Sequence, residues 1–200
     1  MDALRLIREA IETEGKAVQE LANQVDDSFG RAIQCLLDCK GKVVVTGVGK
    51  SGIIGRKIAA SLASTGQPAF FVHSTEAVHG DSGMIEKDDV VLFISNSGET
   101  QEVLNVIPIV NEIGSRTIAI TSKQDSTLAK SSHVALVYRY TREADHLNLA
   151  PTTSSTLVLV IGDALAVTLS QIRGFNHADF HRYHPGGSLG EQLAEGLEKR

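Results

Sequence analysis

Aromatic residues and cysteines are scarce in this chain of 200 residues, which has no tryptophan, two cysteines and an aromatic content of 4%. An excess of positive charge is also missing, since the formal net charge is −5 and the Lys and Arg residues are scattered. Proteins that bind nucleic acids present basic patches, and those that bind single strands add aromatic stacking platforms. We therefore expect no nucleic-acid partner, and a small anionic ligand would have to be bound by local geometry.

Membrane segments and a disulfide framework are not expected either. No apolar stretch approaches the roughly 20 residues that span a bilayer, and the segment 1–20 is amphipathic and acidic, unlike a signal sequence. Cys35 and Cys39 lie four residues apart in a predicted helix, and with no further cysteine they form neither a scaffold nor a metal site. We predict a cytoplasmic protein with no membrane partner, in which both cysteines are buried apolar residues.

Two predicted helices precede an alternation of strands and helices. Apolar residues recur at helical spacing over 2–23, and a second helical segment follows at 28–39. Apolar runs predict five strands, at 42–46, 69–72, 89–94, 115–121 and 133–137. Helical patterns connect the first four, which predicts an α/β fold: a three-layer αβα sandwich around a five-stranded parallel sheet with flavodoxin-like strand order.

Two prolines indicate where predicted helices begin or are interrupted. Pro108 falls inside the helical pattern after the third strand, so we expect a kink or an early end there. Pro151 stands near the start of a long apolar helix that runs to Ile172, and one helical turn is expected at 126–131. The chain is predicted to be one domain, 1–200, with N-terminal helices at 1–39, an α/β core at 40–175 and a Gly-rich tail at 176–200 that ends in a short amphipathic helix.

A polar loop directly follows the third predicted strand, with the sequence Ser95-Asn96-Ser97-Gly98-Glu99-Thr100. Hydroxyl groups and the backbone N–H groups of a helix N-terminus converge on anions, so this pattern predicts a phosphate site. A plain helix cap is the alternative, because Ser, Asn and Thr are the usual capping residues.

A second corner follows the first strand, with the sequence Gly47-Val48-Gly49-Lys50-Ser51-Gly52. It matches the dinucleotide-binding glycine pattern, but Glu76, the candidate acidic partner, lies beyond the end of the second strand. The ATP-type loop fits less well, because Val44 stands where that motif needs glycine. In the flavodoxin-like order the first and third strands flank the ligand crevice, so we expect the two corners to bind one anion. Lys50 either adds a cation there or is a solvated surface lysine.

Five segments in order resemble the sugar isomerase (SIS) domain family and, within it, the branch of D-arabinose 5-phosphate isomerases. The resemblance runs from about Lys40 to Leu193. The segments are Gly47–Gly52, Ala77-Val78-His79-Gly80-Asp81, Ser95–Glu99, Leu149-Ala150-Pro151-Thr152-Thr153-Ser154 and His184-Pro185-Gly186-Gly187-Ser188-Leu189-Gly190.

The resemblance implies an aldose–ketose isomerase that interconverts D-ribulose 5-phosphate and D-arabinose 5-phosphate. Such an enzyme moves a proton between C1 and C2 through an enediol and needs no cofactor and no metal. It supplies 3-deoxy-D-manno-octulosonate (KDO) synthesis for lipopolysaccharide or capsule, and SIS domains commonly pair through helices, which implies a homodimer or homotetramer. Family members often carry two CBS repeats after the His-Pro-Gly-Gly segment. The sequence ends at Arg200, so we expect that module to be absent.

The positions that match the motifs of this family are expected to have the functional roles that the family assigns to them. The catalytic candidates are Lys50, Glu102, Glu143 and His184. The phosphate-binding candidates are Ser51, Ser95, Asn96, Ser97 and Thr100. His79 either supports the site or binds an inhibitory metal. Lys50 would bind phosphate or polarise the enediolate oxygen, and His184 would assist ring opening.

The C1/C2 proton shuttle is Glu143 or Glu102, with Glu143 favoured. Structural roles remain the alternatives: Glu102 as a first-turn helix stabiliser, Glu143 as a solvated loop charge and His184 as a turn residue. Two other functions stay open at the level of the whole chain. One is a non-catalytic, sugar-phosphate-binding regulatory SIS domain; the other is a different SIS enzyme, such as an amino-sugar-phosphate etherase.

Overall fold

Five parallel strands form the central sheet. The computed structural model describes residues 2–186. The strands are β1 (Val43–Gly47), β2 (Ala69–His73), β3 (Val90–Ile94), β4 (Arg116–Thr121) and β5 (Val134–Val137). Their spatial order is β2-β1-β3-β4-β5, with every neighbouring pair parallel. This is the flavodoxin-like order, and each predicted strand is confirmed to within one residue at either end.

Helices cover both faces of the sheet. One face is covered by α1 (Ala3–Ala22), α2 (Asp27–Leu37), α3 (Gly49–Ser64) and α8 (Thr153–Ile172). The other face is covered by α4 (Ser74–Ala77), α5 (Gln101–Leu104), α6 (Ile107–Ile113) and α7 (Thr127–Ser131). A 3-10 helix (Asp81–Met84) follows α4, and α9 (His177–Tyr183) follows α8. Alternate strand residues serve the two layers: Val43 and Val45 pack with the first set of helices and Val44 with the second. The three-layer sandwich is therefore confirmed.

One connection between strands contains different elements from those predicted. Between β2 and β3 the chain forms only α4 and the 3-10 helix, where the sequence pattern predicted a helix; Gly80 separates them with φ +124°. The expected break at Pro108 is confirmed, because α5 ends at Leu104 and Pro108 lies in the first turn of α6. The predicted amphipathic helix at the end of the tail lies outside the described residues.

Helix α8 corrects the expectation about apolar stretches. It is 20 residues long and apolar enough to cross a membrane by length and composition alone. Asp163 in the middle of the helix, together with serine and threonine residues toward its ends, interrupts the apolar run, so the sequence does not present one unbroken stretch. In the structure α8 packs on α3 and α1, and its buried residues, including Leu157, Ile161 and Leu165, belong to the core of the sandwich.

Side-chain contacts attach the N-terminal segment to the rim of the sheet and to α8. The Gln24 amide, just after α1, pairs with the backbone of Arg139: Nε2 donates to the Arg139 oxygen (3.0 Å) and Oε1 accepts from its N–H (2.7 Å). Thr156 in α8 donates to the Glu14 carboxylate (2.7 Å).

The two cysteines lie in the last turn of α2 and just beyond the end of that helix. Cys35 is buried in the core, as predicted, whereas Cys39 lies beyond the end of α2 and is only half-buried. Burial raises the pKa of both thiols.

Candidate active site

The carboxyl ends of β1 and β3 bring two loops to one narrow groove. Lys50 and Ser51 lie in the first turn of α3, and Asn96 follows β3; all three line this groove. The other lining residues are Ile54, Tyr138, Pro151, Ser154, Ser155 and Val158. Because β1 and β3 are neighbours at the point where the strand order reverses, their loops meet here as the topology requires.

Glycines make the turn from β1 into α3 possible. A Cβ on Gly47 would lie 3.1 Å from the carbonyl oxygen of Ile94, and Gly49 has φ +56°. Val48 caps α3 without a side-chain hydrogen bond. The N-terminus of a 16-residue helix therefore faces the groove with first-turn N–H groups that no capping side chain satisfies.

Within the loop 95–100 the hydroxyl groups have different surroundings. Ser95 is buried; its Oγ accepts from the Gly98 N–H (3.1 Å) and lies 2.8 Å from Thr100 Oγ1. Ser97 is exposed, and its Oγ accepts from the Glu99 N–H (3.2 Å). The Ser95 and Thr100 hydroxyls thus hold the loop in shape, and the Ser97 hydroxyl is open to a ligand.

Asn96 joins the loop to two tyrosines. The buried Tyr138 hydroxyl donates to Asn96 Oδ1 (2.8 Å), and Asn96 Nδ2 donates to the Tyr140 hydroxyl (3.1 Å). The Asn96 carbonyl oxygen accepts from the Ser122 N–H (3.0 Å), which fixes the backbone as well. The side chain predicted as an extra phosphate donor is therefore held by tyrosines that the sequence analysis did not single out.

A larger cleft, about 620 Å³ in volume, adjoins the groove beyond the ends of β4 and β5. Asn96 lines both spaces. The remaining lining residues are Ser122, Lys123, Arg139, Tyr140, Thr141, Arg142, Glu143, Asn148, Leu149 and Pro151. Lys123, Arg139 and Arg142 give this cleft a positive character in an otherwise acidic chain.

Glu143 lies at the wall of the cleft with 5% of its surface exposed, so it is not a solvated loop charge. Its Oε2 accepts from the N–H groups of Thr152 (2.9 Å) and Ser154 (3.0 Å), at the start of α8, and from Thr152 Oγ1 (3.2 Å). Burial alone would raise the pKa of this carboxyl group. The hydrogen bonds from Ser154 and Thr152 and the nearby Tyr140 hydroxyl outweigh burial and hold the pKa below its ordinary value. Glu143 is therefore ionised and oriented, as a base must be.

Two hydroxyls at the same helix start lack partners. Thr153 Oγ1 and Ser154 Oγ are buried and make no hydrogen bond to residues 2–186. Ser154 lines the groove together with Lys50. The Ser154 hydroxyl lies close enough to the Glu143 carboxylate to help lower the pKa of that carboxyl group, so Glu143 competes with a bound ligand for its proton.

Three predicted catalytic or supporting residues lie away from these spaces. Glu102 is exposed in the first turn of α5, and His79 is exposed after α4. His184 follows α9, where its Nδ1 lies 3.0 Å from the Phe180 carbonyl oxygen and its ring stacks on Phe180. None of the three lines the groove or the cleft as residues 2–186 form them. Over the same residues, no group of three or more His, Cys, Asp or Glu side chains could hold a metal ion.

Comparison with known proteins gives consistent matches. The model of the SIS domain family matches residues 36–168. Arabinose 5-phosphate isomerase KdsD of Pseudomonas aeruginosa is 50% identical over 193 residues, which are 96% of this chain and 59% of that protein. Arabinose 5-phosphate isomerase KpsF of Escherichia coli is 48% identical over 188 residues, which are 94% of this chain and 59% of that protein. The chain thus spans about 59% of the length of these curated relatives.

Solved structures include one with nearly the same extent as this chain. The structure of c3406 from E. coli CFT073, in complex with arabinose 5-phosphate, has a TM-score of 0.90 and 51% sequence identity. The match covers 92% of this chain and 98% of that one.

Proposed function

The chain belongs to the SIS domain family, and on that premise we propose that it is an aldose–ketose isomerase that interconverts D-ribulose 5-phosphate and D-arabinose 5-phosphate. The observation that carries the proposal is the placement of an ionised, buried Glu143 next to a groove lined by Lys50, Ser51 and Asn96. The similarity of 96% of the chain to a protein named arabinose 5-phosphate isomerase supports the choice of pentose.

In the proposed mechanism the phosphate group lies at the helix start of α3 and the loop 95–100. Ser51 and Ser97 supply hydroxyl donors, together with backbone N–H groups of both loops, while Ser95 and Thr100 keep the loop 95–100 in shape. Asn96 stands at the junction of groove and cleft, so the sugar would extend past it toward Glu143.

Proton transfer is assigned to Glu143. Its carboxylate takes the proton from C1 of the ketose and returns it to C2, while Lys50 stabilises the negative charge that develops on the enediolate oxygen. Glu102, on the first turn of α5, is the second carboxylate in the proposal and exchanges protons with the sugar oxygens. His184 assists opening of the sugar ring. Since it lies on the tail, we propose that it acts at the site of a neighbouring subunit in a homodimer or homotetramer, and that His79 supports the site in the same assembly.

The biosynthetic role proposed with this activity is the supply of D-arabinose 5-phosphate for KDO, in lipopolysaccharide or capsule synthesis in the cytoplasm. The names of the relatives support the substrate.

An isotope experiment tests the reaction. The protein is incubated with D-ribulose 5-phosphate in deuterated water, without added metal or nucleotide, and the aldose product is analysed by NMR. We expect D-arabinose 5-phosphate with deuterium at C2, because the shuttled proton exchanges with solvent at the enediol stage. The Glu143→Gln variant should form this product at least about a hundredfold more slowly. Tight binding of the pentose phosphate with no turnover would instead favour a regulatory SIS domain.

A further inference from the structure

Thr152 contacts Glu143 through both its backbone and its side chain. Its N–H donates to Glu143 Oε2 (2.9 Å), and its hydroxyl donates to the same oxygen (3.2 Å). The hydroxyl also accepts from the N–H of Ala144 (2.8 Å), the residue that follows Glu143. Because an ionised carboxylate has no proton to give, the Thr152 hydroxyl proton points to Oε2. Thr152 thus connects the start of α8 with the carboxylate and with the adjoining backbone of the proposed base.

The backbone of Glu143 is also held from within its own loop. The N–H of Glu143 donates to Asn148 Oδ1 (2.7 Å), and the N–H of Asn148 donates to the carbonyl oxygen of Asp145 (2.9 Å). Asn148 has φ +56°, a left-handed conformation that asparagine tolerates better than most residues do. The loop therefore presents Glu143 to α8 from a fixed backbone, and the freedom that remains is in the side chain.

The two oxygens of the Glu143 carboxylate differ in their hydrogen bonds. Oε2 accepts from the Thr152 N–H, the Thr152 hydroxyl and the Ser154 N–H. Each oxygen of a carboxylate has about two lone-pair sites, so three donors engage Oε2 fully. None of the hydrogen bonds that residues 2–186 donate to this carboxylate goes to Oε1. Oε1 is therefore the oxygen with lone pairs available for a substrate proton.

We propose that Thr152 is a positioning residue, whose two hydrogen bonds anchor Glu143 Oε2 and leave Oε1 to carry the proton of the isomerase reaction. The inference rests on the proposed function, in which Glu143 is the base. The C–H bond at C1 breaks, the proton goes to Oε1, and Oε1 returns it to C2, so the carboxylate ends as it began. Over residues 2–186 Thr152 lines neither the groove nor the cleft, so it acts through Glu143 and not on the substrate.

Thr152→Val tests the inference, because valine keeps the branched shape and the backbone N–H but has no hydroxyl. Oε2 then loses one donor, and the Ala144 N–H loses its acceptor. A carboxylate that is held less firmly presents Oε1 to the substrate for a smaller fraction of the time. We therefore expect kcat to fall about tenfold while KM changes less than about threefold. Thr152→Ser keeps the hydroxyl and should have a kcat within about twofold of the wild type.

Thr153→Val is the matched control, since it makes the same replacement at the next residue. Thr153 is buried, and its hydroxyl has no hydrogen-bond partner among residues 2–186. We expect its kcat and KM to stay within about twofold of the wild type. Thr152→Ala removes the hydroxyl without placing a methyl group beside the carboxylate. It should lower kcat as Thr152→Val does, and it takes the place of that variant if valine prevents folding.

A titration without substrate gives a second, independent measurement. The Glu143 carboxyl is followed by carbon-13 NMR in ligand-free protein, with Glu143→Gln used to assign its signal. Loss of a donor to the charged form raises the pKa of a carboxyl group. We expect the Glu143 pKa to rise by about one unit in Thr152→Val and to stay within about 0.3 unit of the wild type in Thr152→Ser and Thr153→Val. The other charged and titratable groups around Glu143 are the same in all these variants; they are Lys50, Lys123, Tyr138, Arg139, Tyr140, Arg142 and Asp145.

The inference requires both effects in Thr152→Val, the lower kcat and the higher Glu143 pKa, and either one without the other would overturn it. Equal effects in Thr153→Val would overturn it too. A rise of KM at unchanged kcat would contradict it, because Thr152 would then act on substrate binding.

The two measurements also separate this inference from the proposed function. A wild-type protein without isomerase activity would refute the proposed function, whereas a higher Glu143 pKa in Thr152→Val would still support the contact between the two side chains. An active wild type whose kcat and Glu143 pKa are both insensitive to Thr152→Val would refute the positioning role and leave the proposed function intact.

Discussion

Replacement of Glu143 by Gln should destabilise the fold at neutral pH as well as slow the reaction. Oε2 accepts three hydrogen bonds at the start of α8. Hydrogen bonds to charged groups contribute about 1.5–3 kcal/mol and neutral ones about 0.5–1.5 kcal/mol, and a carboxylate at a helix N-terminus adds about 0.3–1 kcal/mol. Gln keeps an acceptor oxygen but loses the charge. We therefore expect the free energy of unfolding to fall by about 2 kcal/mol.

The pH dependence of this loss identifies its cause. The pKa of the Glu143 carboxyl lies below the ordinary value of 4.5 in the folded protein. Its contribution to stability is therefore complete above the unfolded-state pKa and is lost as the pH falls through the folded-state pKa. Wild type and Glu143→Gln should differ by about 2 kcal/mol at neutral pH and by less than about 0.5 kcal/mol once the carboxyl is protonated. Urea unfolding at a series of pH values measures the difference.

Glu102→Gln is the matched control for stability. Glu102 is exposed in the first turn of α5, so its replacement should change the free energy of unfolding by no more than about 0.5 kcal/mol at any of these pH values. A Glu143→Gln defect that stayed constant with pH would refute the reasoning. So would a Glu102→Gln defect of the same size.

Two further pairs of variants test the loop 95–100. Ser97→Ala should raise KM for the pentose phosphate about tenfold without a change in urea midpoint. Ser95→Ala should lower stability by about 1–2 kcal/mol, because the Thr100 hydroxyl loses its partner and the Gly98 N–H loses one of its two acceptors. Equal stabilities of the two variants would contradict the assigned roles. Gly98→Ala should destabilise by at least about 2 kcal/mol, because φ is +66° and a Cβ would collide with Ser126. Gly15→Ala, with open space around it in α1, should instead stabilise by about 0.5–1 kcal/mol, and a Gly98→Ala protein as stable as wild type would show that the loop can rearrange.

Local patterns in the sequence were sufficient to predict the sheet. The runs that became β1 and β3 are buried on both faces, so their composition is mostly apolar, with Thr46 the polar residue of β1, and their limits are clear. Pro108 interrupts a helix for a reason that acts within one turn, so its effect was predictable too. The meeting of the two glycine-containing corners followed from strand order, which the alternation of elements indicates.

Long-range contacts at the site could not be predicted in the same way. The segment around Glu143 is polar, which is typical of a solvated loop, yet the start of α8 folds over it and buries it. Tyr138 and Tyr140 were not predicted as site residues, because only the structure shows that both contact Asn96. Helix α8 has the composition of a membrane segment because one side of it packs in the core.

Gln24 also limits the pairing of the sheet edge with another chain. Beyond β5 the N–H and C=O groups of Arg139 point away from β4, and the Gln24 amide offers them the same donor and acceptor that a sixth strand would offer. An open strand edge invites pairing with another chain and, through it, aggregation. The end of α1 thus closes this part of the edge with one side chain. A shortened chain that began after Gln24 would expose it to intermolecular pairing.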